Sequence, residues 1–202
     1  MDCQNWIVED SAECQAIFPE AYTSPLEPYR LYRFLTQLED ILATTPSDRQ
    51  RLEAIMPRVR SLLESSYWLQ MEFDPPQPNP GWSVKFLYRD NNFPLTVQMV
   101  GWLPGKPSPI HNHACWGTVA IISGEEKNRI YKRSPTTSHP HRIELIAEKV
   151  LVPGDIIGFT PEAIHSVEPI GDEPVISFNL YGVTDFERRL EFDPVAHTVK
   201  KF

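Results

Sequence analysis

Apolar positions recur with two different periods along the chain, and the change between them falls near residue 74. Between Tyr29 and about Leu69 the apolar residues lie three and four positions apart, which predicts two amphipathic helices. The stretch from Thr45 to Ser47 separates them, and it predicts Thr45 as the N-cap of the second helix with Pro46 at the first helical position. A helical hairpin of this kind needs an apolar surface to cover.

Short strand-like segments follow a proline-rich connector, which runs from Asp74 to Gly81. Such segments, with glycine and proline between them, are typical of a β-sandwich or barrel. We expect one domain over 1–202, in which a mostly helical segment at 1–73 packs against a β-barrel at 82–202. The predicted strands are Trp82–Arg89, Leu95–Trp102, Thr118–Ser123, Asn128–Arg133, Arg142–Val152, Ile156–Phe159, Ile164–Glu168 and Pro174–Tyr181.

Composition argues against several classes of function. The net charge of the 202 residues is −8 and no basic cluster stands out, so we expect no nucleic-acid surface. No apolar run reaches the length of about 18 residues that predicts a membrane span, and the acidic, polar first residues do not predict a signal peptide. Three cysteines without paired spacing fit a reducing compartment, so the expected location is the cytoplasm.

Four of the six histidines form two pairs separated by one residue, His111 with His113 and His139 with His141. On a strand, residues i and i+2 point to the same face, so the first pair can direct both imidazoles at one metal ion. The second pair lies in the polar stretch SPTTSHPHR, which predicts a solvent-exposed loop. His197 has no partner nearby in the sequence, and we expect a structural role for it.

The residues around the first pair resemble the two motifs of the cupin superfamily, although Pro169 stands where the second motif ends in asparagine. The resemblance implies a mainly β fold, a cupin double-stranded β-helix or jelly-roll barrel with the N-terminal helical segment packed against it. It also implies one divalent metal ion held by His111, His113 and His165. The motif positions matched are Gly105, His111, His113, Gly124, Gly154 and His165.

The glutamate that most cupins use as a metal ligand is missing, and Gly117 stands in its place. Three imidazoles leave several coordination positions open and add no charge, so such a site can accept an anionic donor and dioxygen together. Three imidazoles also suit zinc, nickel or manganese, so the ligands alone do not choose the metal. Histidines with a purely structural role are the alternative interpretation.

From about Tyr67 to the C-terminus the chain resembles the thiol dioxygenases, which are cupins with three histidines and no glutamate ligand. The run from Trp102 to Gly117, WLPGKPSPIHNHACWG, is similar to the signature of the bacterial branch, whose members include cysteine and 3-mercaptopropionate dioxygenases. The resemblance implies one Fe(II) ion per chain, and a small thiol carboxylate and O2 as the molecules that the site binds. Both oxygen atoms would be added to the sulfur, giving a sulfinic acid.

Two further segments carry this resemblance. The segment SFNLYG matches a family strand of the form S-x-H-x-Y-G, and it places Ser177, Asn179 and Tyr181 in the catalytic positions. Asn179 replaces the family histidine and cannot titrate near neutral pH. Downstream, Arg188 and Arg189 resemble the arginine pair of the mercaptopropionate group, which implies that one of them, Arg189 in our hypothesis, holds the substrate carboxylate.

Other positions depart from the animal enzymes of the family. Their arginine on the early strand is replaced by Val84, so Lys85 or Arg89 could substitute for it only after a shift in register. The cysteine that forms a thioether to the tyrosine is absent because Gly117 occupies its position, and we predict no such crosslink from Cys115.

The alternation within the SFNLYG strand makes a separate prediction about its two faces. One face carries Ile176, Phe178 and Leu180, and it should lie against other protein such as the helices. The opposite face carries hydroxyl and amide groups, which should point into the barrel and bond to one another or to a ligand.

Two other functions stay open at this point. One is a non-catalytic, metal-binding cupin that senses or binds a small ligand, and the other is a cupin hydrolase or isomerase that uses another divalent metal. The sequence does not choose among cysteine, 3-mercaptopropionate, cysteamine or a larger thiol, and it gives no oligomeric state.

Overall fold

A computed structural model describes residues 3–17, 29–90 and 95–202, and most of this chain lies in two β-sheets and two helices. The helices are α1 (Leu31–Thr44) and α2 (Asp48–Ser65), followed by a 3-10 helix at Tyr67–Met71. The strands are β1 (Asn5–Val8), β2 (Cys14–Ile17), β3 (Trp82–Arg89), β4 (Thr96–Trp102), β5 (Ile110–His111), β6 (Gly117–Ser123), β7 (Glu125–Arg133), β8 (Ile143–Leu151), β9 (Ile156–Phe159), β10 (Ile164–Ile170), β11 (Val175–Tyr181), β12 (Leu190–Asp193) and β13 (Thr198–Lys201).

The two sheets form a barrel with a common interior. One sheet has the order β2-β1-β9-β6-β11-β4-β3 and the other has the order β13-β12-β5-β10-β7-β8. Val119 and Ile157 from the first sheet pack in one buried cluster with Ile130 and Leu151 from the second, so side chains of both sheets fill the space between them. The predicted fold class, a mainly β double-stranded β-helix with a helical segment packed against it, is confirmed.

The helices cover the outer face of the first sheet, as the hairpin pattern predicts. Phe34 of α1 and Phe178 of β11 are both fully buried, with ring centroids 6.2 Å apart in an edge-to-face arrangement. Arg60 of α2 donates a hydrogen bond of 2.6 Å to the side chain of Asn5 in β1, which ties the helix to the first sheet. No described helix combines the length and the apolar character that a membrane span requires.

All eight predicted strands are present, and Trp82–Arg89 and Ile156–Phe159 have the predicted bounds. Strands β1, β2, β5, β12 and β13 are not predicted by the sequence pattern. Since β1 and β2 lie within 1–73 and extend the first sheet, that segment supplies strands as well as helices.

The predicted start of the second helix is wrong. Thr45 ends α1 instead, because its backbone N–H donates to the carbonyl of Ile41 at 2.9 Å. A residue before proline is pushed towards extended backbone, and Thr45 adopts φ −117° and ψ 102°. The chain therefore needs two more residues to turn, and α2 begins at Asp48 with Ser47 as its N-cap.

Candidate metal centre

The structure brings His111, His113 and His165 together in the barrel interior. One nitrogen from each of them lies within 4.8 Å of the others, and all three side chains are buried. His165 in β10 pairs directly with His111 in β5. His113 lies beyond the end of β5 and is followed by Ala114, which has a φ of +52°, so only the first member of the pair lies on a strand. The expectation that both imidazoles can be directed at one point is confirmed.

In His111 and His165, a hydrogen bond to one ring nitrogen determines that the other nitrogen is available to bind a metal. The Nδ1 of His111 lies 2.9 Å from the carbonyl of Pro109, and the Nδ1 of His165 lies 3.0 Å from Oδ1 of Asn128. Both partners are oxygen acceptors, so each Nδ1 carries the proton and each Nε2 keeps its lone pair for a metal.

The distance between two of these rings fits a shared cation. The Nε2 atoms of His113 and His165 are 2.8 Å apart, a separation at which two lone pairs repel unless a proton or a cation lies between them. Two nitrogens bound to one metal at about 2.1 Å and at a right angle lie about 3 Å apart. Three neutral imidazoles on one point therefore fit a divalent transition metal.

Burial keeps all three histidines in the form that binds metal. It lowers the pKa of His111 to about 4, and it holds the pKa values of His113 and His165 well below the ordinary range, with the neighbouring imidazoles adding to the effect. The rings are therefore neutral at physiological pH.

Gly117 lies where a cupin glutamate ligand is expected, and a tyrosine fills the space beside it. A Cβ at Gly117 would lie 2.5 Å from Cδ1 of Tyr181, which is closer than any real contact. No side chain can therefore extend from this position while Tyr181 keeps its place. Within the described residues, no carboxylate or thiol joins the histidine cluster. The side chain of Cys115 instead contacts the Thr184 hydroxyl, with Sγ and Oγ1 3.5 Å apart.

The three polar residues of β11 form one hydrogen-bonded row beside the histidines. The amide of Asn179 donates to the Ser177 hydroxyl at 2.8 Å, and its Oδ1 accepts from the Tyr181 hydroxyl at 3.0 Å. The Tyr181 ring stacks on His113 with centroids 4.9 Å apart. Burial raises the pKa of Tyr181, so the phenol keeps its proton.

The structure separates the two candidate arginines. Arg189 lines the cavity above the histidines, and its guanidinium lies 4.1 Å from the ring centre of Phe202. Its buried Nε has no hydrogen-bond partner among the residues that the structure describes, and burial lowers the pKa of the guanidinium. Arg188 points elsewhere and forms an ion pair of 2.5 Å with Glu162. Of the two, only Arg189 lines the cavity.

The early strand does not keep a single register, because a β-bulge shifts its pairing with β4 between Phe86 and Tyr88. Val84, before the bulge, lines the cavity. Lys85 points away from it and forms an ion pair of 2.6 Å with Glu72. Arg89 also lines the cavity, with its guanidinium 5.2 Å from the ring centre of Phe86.

Glu126 and Asn128 on β7 are site residues that the sequence does not predict. The amide of Asn128 donates to the Glu126 carboxylate at 2.8 Å, while its Oδ1 faces His165. In its ionised form Glu126 only accepts, so it then fixes which way the amide points and, through it, which nitrogen of His165 carries the proton. Burial raises the pKa of Glu126 to about 7, although the bond from Asn128 opposes this. Strand β7 is polar on both faces here, so no alternation marks the inward side.

The remaining histidines lie apart from this cluster. His139 is exposed in a turn between β7 and β8, which confirms the predicted loop. Its ring lies 4.5 Å from that of His197, measured between centroids, so these two distant segments are in contact.

No family model matches the chain. Similar solved structures include an oxalate oxidase in complex with the substrate analogue glycolate (18% identity, 53% of each chain covered, TM-score 0.42) and a cupin-like protein from Thermotoga maritima (18% identity, 60% of this chain and 75% of that one, TM-score 0.38). An uncharacterised protein with a double-stranded β-helix domain from Klebsiella pneumoniae is also similar (20% identity, 57% of this chain and 83% of that one, TM-score 0.43). The matched region spans about half the length of the oxalate oxidase chain. Likeness at this level of identity concerns the fold alone.

Proposed function

We propose that the protein is a mononuclear non-haem iron dioxygenase that oxidises a small thiol carboxylate, of the cysteine or 3-mercaptopropionate type, to its sulfinic acid with O2. The observation that carries the proposal is the meeting, in one cavity, of three neutral imidazoles with a half-buried arginine whose Nε has no hydrogen-bond partner among the described residues. The first group suits a metal and the second suits an anion.

The metal would be held by His111, His113 and His165. A bound Fe(II) ion would supply the open positions at which the thiolate sulfur and dioxygen can meet. The described residues contribute no charged ligand to that ion, and Tyr181 occupies the space beside Gly117. The positive charge of the centre is thus left for the substrate thiolate to neutralise.

Arg189 would hold the substrate carboxylate. A planar guanidinium can bind both oxygens of a carboxylate, and the buried Nε of Arg189 lacks a partner that such a ligand would provide. Arg89 is the second cation of the cavity, and no acidic residue of the described chain lines it. The cavity of this acidic protein therefore favours an anion.

The row on β11 would orient the Tyr181 hydroxyl beside the bound reactants. The amide nitrogen of Asn179 donates to Ser177, so its oxygen must face Tyr181 and the phenol must donate to it. The lone pairs of the phenol oxygen then point away from Asn179, and the phenol would donate to the reactants only by turning its single O–H bond away from Asn179. Asn179 cannot take up a proton, so this row positions the hydroxyl without acting as a base.

The proposal is tested by oxygen uptake of the Fe(II)-loaded protein with cysteine, 3-mercaptopropionate and cysteamine, together with identification of the product by mass spectrometry. We expect uptake of one O2 per thiol and a product two oxygen atoms heavier. Arg189→Ala should raise KM for the two carboxylates by about tenfold or more and leave cysteamine unaffected, since the lost contact is a charge-assisted pair. Arg188→Ala is the matched control and should change neither.

Metal binding without thiol-dependent oxygen uptake would contradict the proposal. It would favour a cupin that binds a small ligand without catalysis.

A further inference from the structure

The cavity above the histidines is larger than a small thiol carboxylate needs. Its volume is about 470 Å³. A thiol acid of about six non-hydrogen atoms occupies roughly 180 Å³ if each atom takes about 30 Å³, the share of one molecule in liquid water. More than half of the cavity is therefore left over once such an acid is bound.

The extra space lies beside strand β11, on the side where β4 and β3 follow it in the sheet. Neighbouring strands β11, β4 and β3 form its floor, and Val100 of β4 pairs with Ser177 on one side and with Val84 on the other. Strands in a sheet are about 4.8 Å apart, so the floor extends about 10 Å sideways from the polar row of β11. A ligand with its sulfur and carboxylate near the histidines and Arg189 can reach Val84 only if it carries a further group.

The part of this extra space around Val84 and Val100 is apolar and largely aromatic, whereas Thr96, Gln98 and Arg89 line the cavity further along β4 and β3. Val84, Val100 and the Trp82–Trp102 pair, with ring centroids 6.3 Å apart, line the floor. Three phenylalanines also line the cavity, and each of them is about half exposed or more. Large exposed rings around one opening are typical of a surface that contacts a ligand. These residues are Phe86, Phe186 and Phe202.

We infer that the site accepts thiol carboxylates with an apolar substituent about the size of a benzyl group, which lies over Val84 and Val100. The thiol part of this inference rests on the proposed function. The preference for an acid with an apolar group rests on the cavity and Arg189 alone, so binding experiments test it without catalysis.

The direct test is anaerobic calorimetry on the Fe(II)-loaded protein with 2-benzyl-3-mercaptopropionate and 3-mercaptopropionate. We expect the benzyl acid to bind at least about tenfold more tightly, because burial of an aromatic ring from water is favourable. A second pair of probes, 3-phenylpropionate and propionate, lacks the thiol and should show the same order.

A matched pair of variants locates the preference in the structure. Val84→Trp fills the floor of the extra space, so it should abolish the tenfold advantage of the benzyl acid over 3-mercaptopropionate. Lys85→Trp changes the next residue, whose side chain lies outside the cavity against Glu72, and it should preserve the advantage.

Equal affinities for the benzyl and unsubstituted acids in the wild-type protein would overturn the inference without any variant. So would a Val84→Trp protein that keeps the full preference. Tighter binding of the benzyl acid with no oxygen uptake from any thiol would support the inference and contradict the proposed oxidation, so the two failures are distinguishable.

Discussion

The two faces of strand β11 have different roles. Its apolar face, Ile176, Phe178 and Leu180, is buried in the cluster that joins the first sheet to the helices. Its polar face carries the hydrogen-bonded row beside the histidines. Because successive residues of a strand point to opposite sides, one strand of seven residues ties the stability of the fold to the geometry of the site.

The partners of the two faces also differ in kind. The apolar face depends on residues far away in the chain, such as Phe34 of α1. The polar face satisfies its hydrogen bonds with residues two positions away on the same strand. Substitutions should therefore separate stability from metal binding, and the four below test that separation.

The largest effect is expected at the metal centre. His111→Ala removes one of three ligands, and we expect bound metal per chain to fall below about a tenth of the wild-type value, because the remaining pair cannot hold the ion against competing water. Metal analysis after reconstitution and desalting measures this. His139→Ala, in the exposed pair, is the control and should load normally; a normal metal content in His111→Ala would refute the ligand assignment.

The next effect belongs to the apolar face. Phe178→Ala should lower the free energy of unfolding by about 3–5 kcal/mol, since it leaves a cavity in the cluster under the helices. The metal content of the folded fraction should not change. Denaturant titration gives the first value, and Phe186→Ala, with an exposed ring, should shift it by no more than about 0.5 kcal/mol. If folded Phe178→Ala protein bound much less metal than the wild type, the apolar face would affect metal binding as well as stability.

Substitution of Glu126 should change the stability of the protein and its affinity for metal in opposite directions. Its folded pKa of about 7 lies above the ordinary value of 4.5, so between these values the folded chain holds the proton more tightly than the unfolded chain. Raising the pH through this range therefore destabilises the metal-free protein, by up to about 3 kcal/mol above pH 7. Glu126→Gln avoids that cost, so it should stabilise the metal-free protein at pH 8 and hardly at all below pH 4.5.

The same substitution should weaken metal binding by about 10–100-fold, because Asn128 loses the carboxylate that sets its orientation towards His165. Unfolding at both pH values and a competitive metal titration measure the two effects. Glu125→Gln, at the exposed neighbouring position, should change neither. An unchanged metal affinity in Glu126→Gln would remove Glu126 from the site.

Strict alternation and long helical periods made most of the fold predictable. The strand Trp82–Arg89 carries enough apolar residues in sequence to be predicted with its bounds. By contrast, β5 has two residues, too few to show any period, and β1 takes its place through a parallel pairing with β9 that lies far away in the chain. Such elements depend on tertiary contacts, which a local pattern does not record.

The site, like the fold, has parts that the sequence predicts and parts that it does not. Motif spacing predicts that His111, His113 and His165 belong together, and the structure confirms that they meet. Spacing does not predict which of two adjacent arginines points inward, because that depends on the turn after Asp185, whose carbonyl accepts both backbone N–H groups. The role of the buried Glu126 depends on its surroundings and is equally absent from the local pattern.

The smallest effect is expected for Ser177→Ala, on the polar face next to Phe178. The amide of Asn179 donates to the Ser177 hydroxyl at 2.8 Å and also to the Ser177 backbone carbonyl at 3.1 Å, so the variant keeps one acceptor for it. We expect a loss of about 1 kcal/mol in the free energy of unfolding, the net value of one hydrogen bond, with unchanged metal content. Parallel denaturant titrations of Ser177→Ala and Phe178→Ala give the difference in the free energy of unfolding between these adjacent substitutions. A loss as large as that of Phe178→Ala would contradict the separation of the two faces. It would mean that the Ser177 carbonyl alone cannot hold Asn179 towards Tyr181, and that the polar row contributes as much stability as the apolar face.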